Sequence, residues 1–134
     1  YLGKAGGRLF AIFEPRSATS RRKVFQKDYV EAFSIADVVC IAKPFDQSKI
    51  DAAERFSSEE LVADMKARGM QAGEFEGADA IVADVKKEAA AGDVVVIMSN
   101  GAFDKIYEKI LTALKKYVLT GLRDWLVSSI LFIN

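Results

Sequence analysis

The segment Leu9-Phe10-Ala11-Ile12-Phe13-Glu14-Pro15-Arg16-Ser17-Ala18-Thr19-Ser20-Arg21-Arg22 carries an apolar run and then a cluster of arginines and hydroxyls. The first five residues have no polar interruption, which suits a strand buried on both faces. A helix is predicted to follow from about Ser20 to Phe33, because Phe25, Tyr29 and Phe33 recur at helical spacing and make one face. The unit is therefore strand, basic loop, helix.

Working outward, the same unit repeats. Asp37 to Ala42, with Val38-Val39-Cys40-Ile41, reads as a second buried strand. Ser57 with Glu60 resembles a capping box, and Leu61 and Met65 line the helix behind it. Gly69 is a helix stop, and a weak third strand is expected in Met70 to Phe75. A helix from about Asp79 to Ala91 buries Ile81, Val82 and Val85 and ends at Gly92. Val94-Val95-Val96-Ile97-Met98 is the clearest strand, and a last amphipathic helix begins near Phe103 with Ile106, Ile110, Leu111 and Leu114 inward. Such alternation predicts an α/β fold, a Rossmann-like three-layer domain with a mostly parallel sheet flanked by helices. The apolar tail, 122–134, reads as a docked terminal helix or strand, or as a partner-binding segment.

Composition narrows the chemistry. The 134 residues are 51% hydrophobic, enough for one core without disulfides. Lysine and arginine total 19, as do aspartate and glutamate, so wholesale binding to nucleic acid or an anionic membrane is not expected. No histidine is present, which removes imidazole bases, Ser-His-Asp triads and His-based zinc sites for this chain acting alone. The lone Cys40 cannot form an internal disulfide and lies within an apolar strand, so it reads as a packing residue in a reducing, cytoplasmic setting. The start has neither an initiator methionine nor an apolar leader, so the chain reads as an excised piece. No run is long enough to span a bilayer.

Ligands of open α/β sheets bind beyond the carboxyl ends of the strands. Three loops should meet there. The first, Glu14 to Arg22, offers Arg16, Arg21 and Arg22 with Ser17, Thr19 and Ser20 just before a helix. Helix N-termini and guanidinium forks both favour phosphate or carboxylate. Glu14 either orients an amine or pairs with a nearby arginine. The second loop, Ser99-Asn100-Gly101-Ala102-Phe103, offers the amide of Asn100 and the close backbone approach that Gly101 permits, or is an ordinary cap. The third, Lys43-Pro44-Phe45-Asp46, adds Lys43 as a further cation or as a solvated side chain. Gly3-Lys4-Ala5-Gly6-Gly7 is not a phosphate loop, since it leads into a strand rather than out of one. No Gly-x-Gly-x-x-Gly dinucleotide fingerprint follows any strand.

Two of these loops resemble segments of the Mur ligase family. Phe13-Glu14-Pro15-Arg16-Ser17-Ala18-Thr19-Ser20-Arg21-Arg22 is similar to the FEPRS-x-TSRR segment of the branch that recycles peptide. The alanine-adding branch has F-Q-P-H-R-Y-T-R there, with histidine at the place of Arg16. Asp93 to Phe103, reading DVVVIMSNGAF, is similar to the later V-x-x-MSNGGF segment. The resemblance covers roughly residues 8–116 and implies that 1–134 is one C-terminal domain with an unassigned tail at 117–134.

Further implications come from that resemblance alone. The C-terminal domain of such a ligase closes over a central ATPase domain of the same chain, contributes to the nucleotide site and receives the incoming peptide. ATP and Mg2+ are held mainly by the central domain. The reaction activates a carboxylate as an acyl phosphate, and an amine then displaces phosphate to form an amide. In the recycling branch, L-Ala-γ-D-Glu-meso-diaminopimelate is joined to UDP-N-acetylmuramate for peptidoglycan. The site residues implied are Glu14, Arg16, Ser17, Thr19, Arg21, Arg22, Lys43, Asn100 and Gly101. The isolated piece is expected to be inactive. This chain departs from the pattern in lacking the central phosphate loop and the family's segment before the first strand, and in running on to Asn134. The second reading is a non-catalytic α/β module that binds a phosphorylated small molecule.

Overall fold

Parallel strands need crossovers, and the handedness of those crossovers decides which face each helix covers. The computed structural model describes residues 7–15, 26–44, 46–90, 92–99 and 101–114 and the backbone of 130–133. Its strands are β1 (Leu9–Phe13), β2 (Val38–Ala42), β3 (Gln71–Phe75), β4 (Val94–Met98) and β5 (Ile130–Ile133). Its helices are α1 (Gln26–Ala32), α2 (Ser58–Ala67), α3 (Ala78–Glu88) and α4 (Ile106–Ala113). The sheet order is β3-β2-β1-β4-β5, and every pairing is parallel. The chain walks one way from β1 to β3, then returns to β4 on the other side of β1 and continues outward. Right-handed crossovers therefore put α1 and α2 on one face and α3 and α4 on the other.

The side chains bear this out. Phe10, Ile12, Val38, Cys40, Val95 and Ile97 pack with Ile81, Val85, Ile106 and Ile110 of α3 and α4. Ala11, Val39 and Ile41 face the opposite way, against Val30, Leu61, Val62 and Met65. Alternate residues of one strand thus enter two different cores, which is why β1 and β2 are apolar throughout. Burying each isoleucine or leucine stabilises the fold by about 2 kcal/mol. Cys40 sits in the first core, and burial, with a smaller contribution from the Asp84 charge, pushes its thiol up to about 12. It is a packing residue, as predicted. No helix among the described residues is long and apolar enough to cross a membrane.

Several boundaries differ from the sequence reading. Among the described residues, α1 begins at Gln26, and it gives way to a 3-10 turn at Phe33–Ile35 instead of running to Phe33. Phe25 lies outside the described residues, but Tyr29 and Phe33 do share a face, with ring centroids 6.4 Å apart and Phe13 against both. α3 ends at Glu88, short of Ala91. The stop at Gly69 is a Schellman ending: its φ is +80°, its N–H bonds to Lys66 O at 2.9 Å, and Met70 N–H bonds to Met65 O at 3.0 Å. The tail contributes β5, which pairs with β4 from Val95↔Ile130 to Met98↔Ile133.

The predicted capping box is half formed. Glu60 N–H donates to Ser57 Oγ at 3.1 Å. Ser57 N–H, however, donates to Gln26 Oε1 at 3.1 Å, and Gln26 Nε2 donates to Glu60 Oε2 at 3.2 Å. A buried amide from α1 stands between the two halves and ties the starts of α1 and α2 together.

The amino edge of β1 and β4 is closed by a latch. Asp93 is buried and accepts from Arg8 N–H (2.9 Å), Arg8 Nη2 (3.1 Å) and Ala90 N–H (2.8 Å). Arg8 Nη2 also reaches Glu88 O, and its guanidinium lies 5.0 Å from the centroid of the Phe10 ring. Gly7 passes so close to the Gly92 carbonyl that a Cβ there would lie 1.7 Å from the oxygen.

Candidate functional site

A reversal of strand order leaves two neighbouring strands whose following loops diverge to opposite faces, and a crevice opens between them. Here those strands are β1 and β4. Their register, Leu9↔Val94 through Phe13↔Met98, brings the next residues, Glu14 and Ser99, side by side. Glu14 N–H donates to Met98 O at 3.0 Å. Ser99 Oγ donates to Glu14 Oε1 at 2.7 Å and accepts from Gly101 N–H at 3.1 Å. One hydroxyl thus joins the loop after β1 to the loop after β4. Ser99 is buried, while Glu14 and Gly101 are half-buried.

Below this junction lies an aromatic floor. Phe13 stacks near Tyr29 (5.2 Å between centroids) and Phe33 (5.5 Å), and Tyr29 meets Phe56 edge-on at 5.7 Å. Burial raises the phenol pKa of Tyr29. Such packing holds the end of β1 in place before the polar residues begin.

The path from Gly101 into α4 is not the simple helix start expected near Phe103. Phe103, Asp104 and Lys105 have φ of 45°, 49° and 56°, the left-handed region in which side chains are strained. Each costs roughly 1 kcal/mol or more. Burial of the Phe103 ring offsets part of that strain, and the turn closes through Lys105 N–H to Ala102 O at 2.9 Å. Lys109 Nζ then donates to Asp104 Oδ2 and Asp79 Oδ1, both at 2.7 Å, so α3, α4 and the turn share one cation. Those bonds, Asp104 first, raise the Lys109 pKa. Ala102, Lys105, Tyr107 and Glu108 line a shallow depression of about 380 Å³ beside the turn.

The predicted site residues fall into three groups. Glu14 and Gly101 are brought together through Ser99. Lys43 is at the same edge, after β2, but its ammonium bonds to Glu76 beyond β3, and that bond and the Glu76 charge raise its pKa. Arg16, Ser17, Thr19, Arg21, Arg22 and Asn100 lie outside the described residues. The sequence reading passed over Ser99, because a serine after an apolar run is an ordinary residue. The signal was there in the parallel register, since the first residues after two neighbouring parallel strands must be neighbours. Among the described residues no cluster of three His, Cys, Asp or Glu side chains is placed to hold a metal ion.

No family model matches the chain. The UDP-N-acetylmuramate–L-alanyl-γ-D-glutamyl-meso-2,6-diaminoheptandioate ligase of Haemophilus influenzae is 34% identical over 115 residues, which is 84% of this chain and 23% of that protein. The structure of a murein peptide ligase from Psychrobacter arcticus matches with a TM-score of 0.62 and 29% identity, over 84% of this chain and 24% of that one. A domain of a candidate UDP-N-acetylmuramate:L-alanyl-γ-D-glutamyl-meso-diaminopimelate ligase from Haemophilus ducreyi matches with a TM-score of 0.57 and 26% identity, over 84% of this chain and 73% of that domain. The chain spans about a quarter of the length of the curated relatives it matches, 23% in each of two proteins.

Proposed function

We propose that this chain, which belongs with the C-terminal domains of the Mur ligases in sequence and fold, forms the peptide-receiving face of an ATP-dependent amide ligase. The reaction would join L-Ala-γ-D-Glu-meso-diaminopimelate to UDP-N-acetylmuramate. The supporting observation is the bond from Ser99 to Glu14 at 2.7 Å. It joins the two loops that carry the ligase-like motifs at the one place in this sheet where a crevice is expected.

In this reading Arg16, Arg21 and Arg22 hold phosphate or peptide carboxylates as charge-assisted, two-pronged donors. Ser17, Thr19 and Asn100 orient those groups, and Gly101 lets the backbone come close. The contribution of the domain is positioning, which brings the amine to the activated carboxylate, and stabilisation of the charge that builds up there. ATP and Mg2+ belong to a preceding central domain, which supplies the phosphoryl chemistry. The described residues offer no metal-binding cluster of their own.

Two measurements test the proposal. With no other nucleophile added, the full-length protein should turn over ATP steadily only when both UDP-N-acetylmuramate and the tripeptide are present, and the isolated 134-residue chain should turn over none. Arg16→Ala in the full-length protein should lower kcat/KM for the tripeptide by roughly 100-fold, the order seen when one hydrogen-bond donor to a transition state is removed. An unchanged value would count against the assignment of the basic loop.

A further inference from the structure

Glu14 is a half-buried carboxylate with no cation beside it among the described residues. The other carboxylates that pair there do so with partners on neighbouring elements: Asp93 with Arg8, Glu76 with Lys43, Glu31 with Arg68, and Asp79 and Asp104 with Lys109. Glu14 receives one neutral hydroxyl on Oε1. Ser99 has one proton and uses it on Glu14, and its oxygen is in turn fixed by Gly101 N–H. Among the described residues the carboxylate is therefore held in orientation without being neutralised, at the edge where β1 and β4 end side by side.

A negative charge is out of place in a site that only holds phosphate. It repels the anion the neighbouring arginines would attract, so Glu14 marks a different subsite. The ligand class that suits a fixed, partly desolvated carboxylate is an ammonium, a compact charge with three N–H donors. An α-amino group has a pKa of about 8 and arrives mostly as the ammonium at neutral pH. We infer that Glu14, aimed by Ser99, is the binding subsite for the α-ammonium of the incoming peptide, and that Ser99 is its positioning residue. The inference rests on the ligase reading and deepens it by assigning the amine end of the substrate.

The test uses the full-length ligase and two nucleophiles. Hydroxylamine is uncharged at neutral pH and traps an acyl phosphate as the hydroxamate without needing an ammonium subsite. Glu14→Gln should lower kcat/KM for the tripeptide roughly 30-fold or more, mostly through KM, as expected when one partner of a charge pair is removed. Hydroxamate formation should fall far less than the tripeptide reaction, so that the ratio of the two rates reports the subsite. Ser99→Ala should fall between wild type and Glu14→Gln on the tripeptide alone. A tripeptide analogue with propionyl in place of L-alanyl should bind wild type at least 10-fold more weakly than the tripeptide, and Glu14→Gln should bind both alike. An unchanged tripeptide kcat/KM, a parallel loss of hydroxamate, or retained discrimination in Glu14→Gln overturns the subsite and leaves the ligase reading standing. If the wild type forms neither hydroxamate nor amide, the ligase reading fails and takes the subsite with it.

Discussion

The two ends of the β1–β4 pair present the same arrangement with opposite outcomes. At the amino edge a carboxylate on the β4 side, Asp93, meets Arg8; at the carboxyl edge a carboxylate on the β1 side, Glu14, meets Ser99. Both pairs are separated by 85 residues, because one parallel register sets them both. Asp93 is buried and its oxygens accept a guanidinium and two main-chain N–H groups. Glu14 is half-buried and, among the described residues, accepts one hydroxyl. Beyond Asp93 the chain enters β4 directly; beyond Ser99 it passes through three left-handed residues. Among the described residues the amino edge pairs its carboxylate fully and places only a glycine, Gly92, at positive φ, as suits a structural closure. The carboxyl edge keeps, among the described residues, a carboxylate with no cation beside it, and local strain, as sites that await a ligand do.

Stability measurements on variants of the two edges can break this contrast. The largest effect should come from Asp93→Ala, which strands the N–H groups of Arg8 and Ala90 in a part-buried place. A loss of roughly 3 kcal/mol in urea unfolding is expected. Ser99→Ala should cost about 1 kcal/mol or less, because the released Glu14 carboxylate can reach water. Equal losses at the two edges would mean that the upper pair is structural too. The smallest effect should be a gain. Lys105→Gly removes a strained side chain at φ 56°, and relief of that strain should exceed the extra freedom glycine gives the unfolded chain by roughly 0.5 kcal/mol. A loss of stability would show that the turn is held by contacts of the Lys105 side chain rather than against strain.

How much of this was visible beforehand follows from what acts locally. The core strands were legible because residues such as Ile12 and Ile41 must be apolar on either face of a covered sheet. The Gly69 stop was legible because a left-handed ending favours glycine. The turn at Phe103–Lys105 was not, since no glycine or asparagine marks it and tertiary packing of Phe103 enforces it. Gln26 was invisible for a related reason, as the amide completes a cap 31 residues away. The tail was ambiguous because a short apolar run suits either a helix or a strand, and only the free edge of β4 makes it β5. At the site, topology predicted which loops meet, but the hydroxyl that joins them needed coordinates.

The burial of Cys40 has a practical side. It is the only cysteine in the chain, and with its thiol pushed up to about 12 it carries almost no thiolate at neutral pH. The folded chain is thus effectively silent to maleimides and iodoacetamides. A cysteine placed at an exposed position such as Ile35 would then take up a spin or fluorescent label selectively, giving one end of a ruler for distances from this fold to a second labelled site.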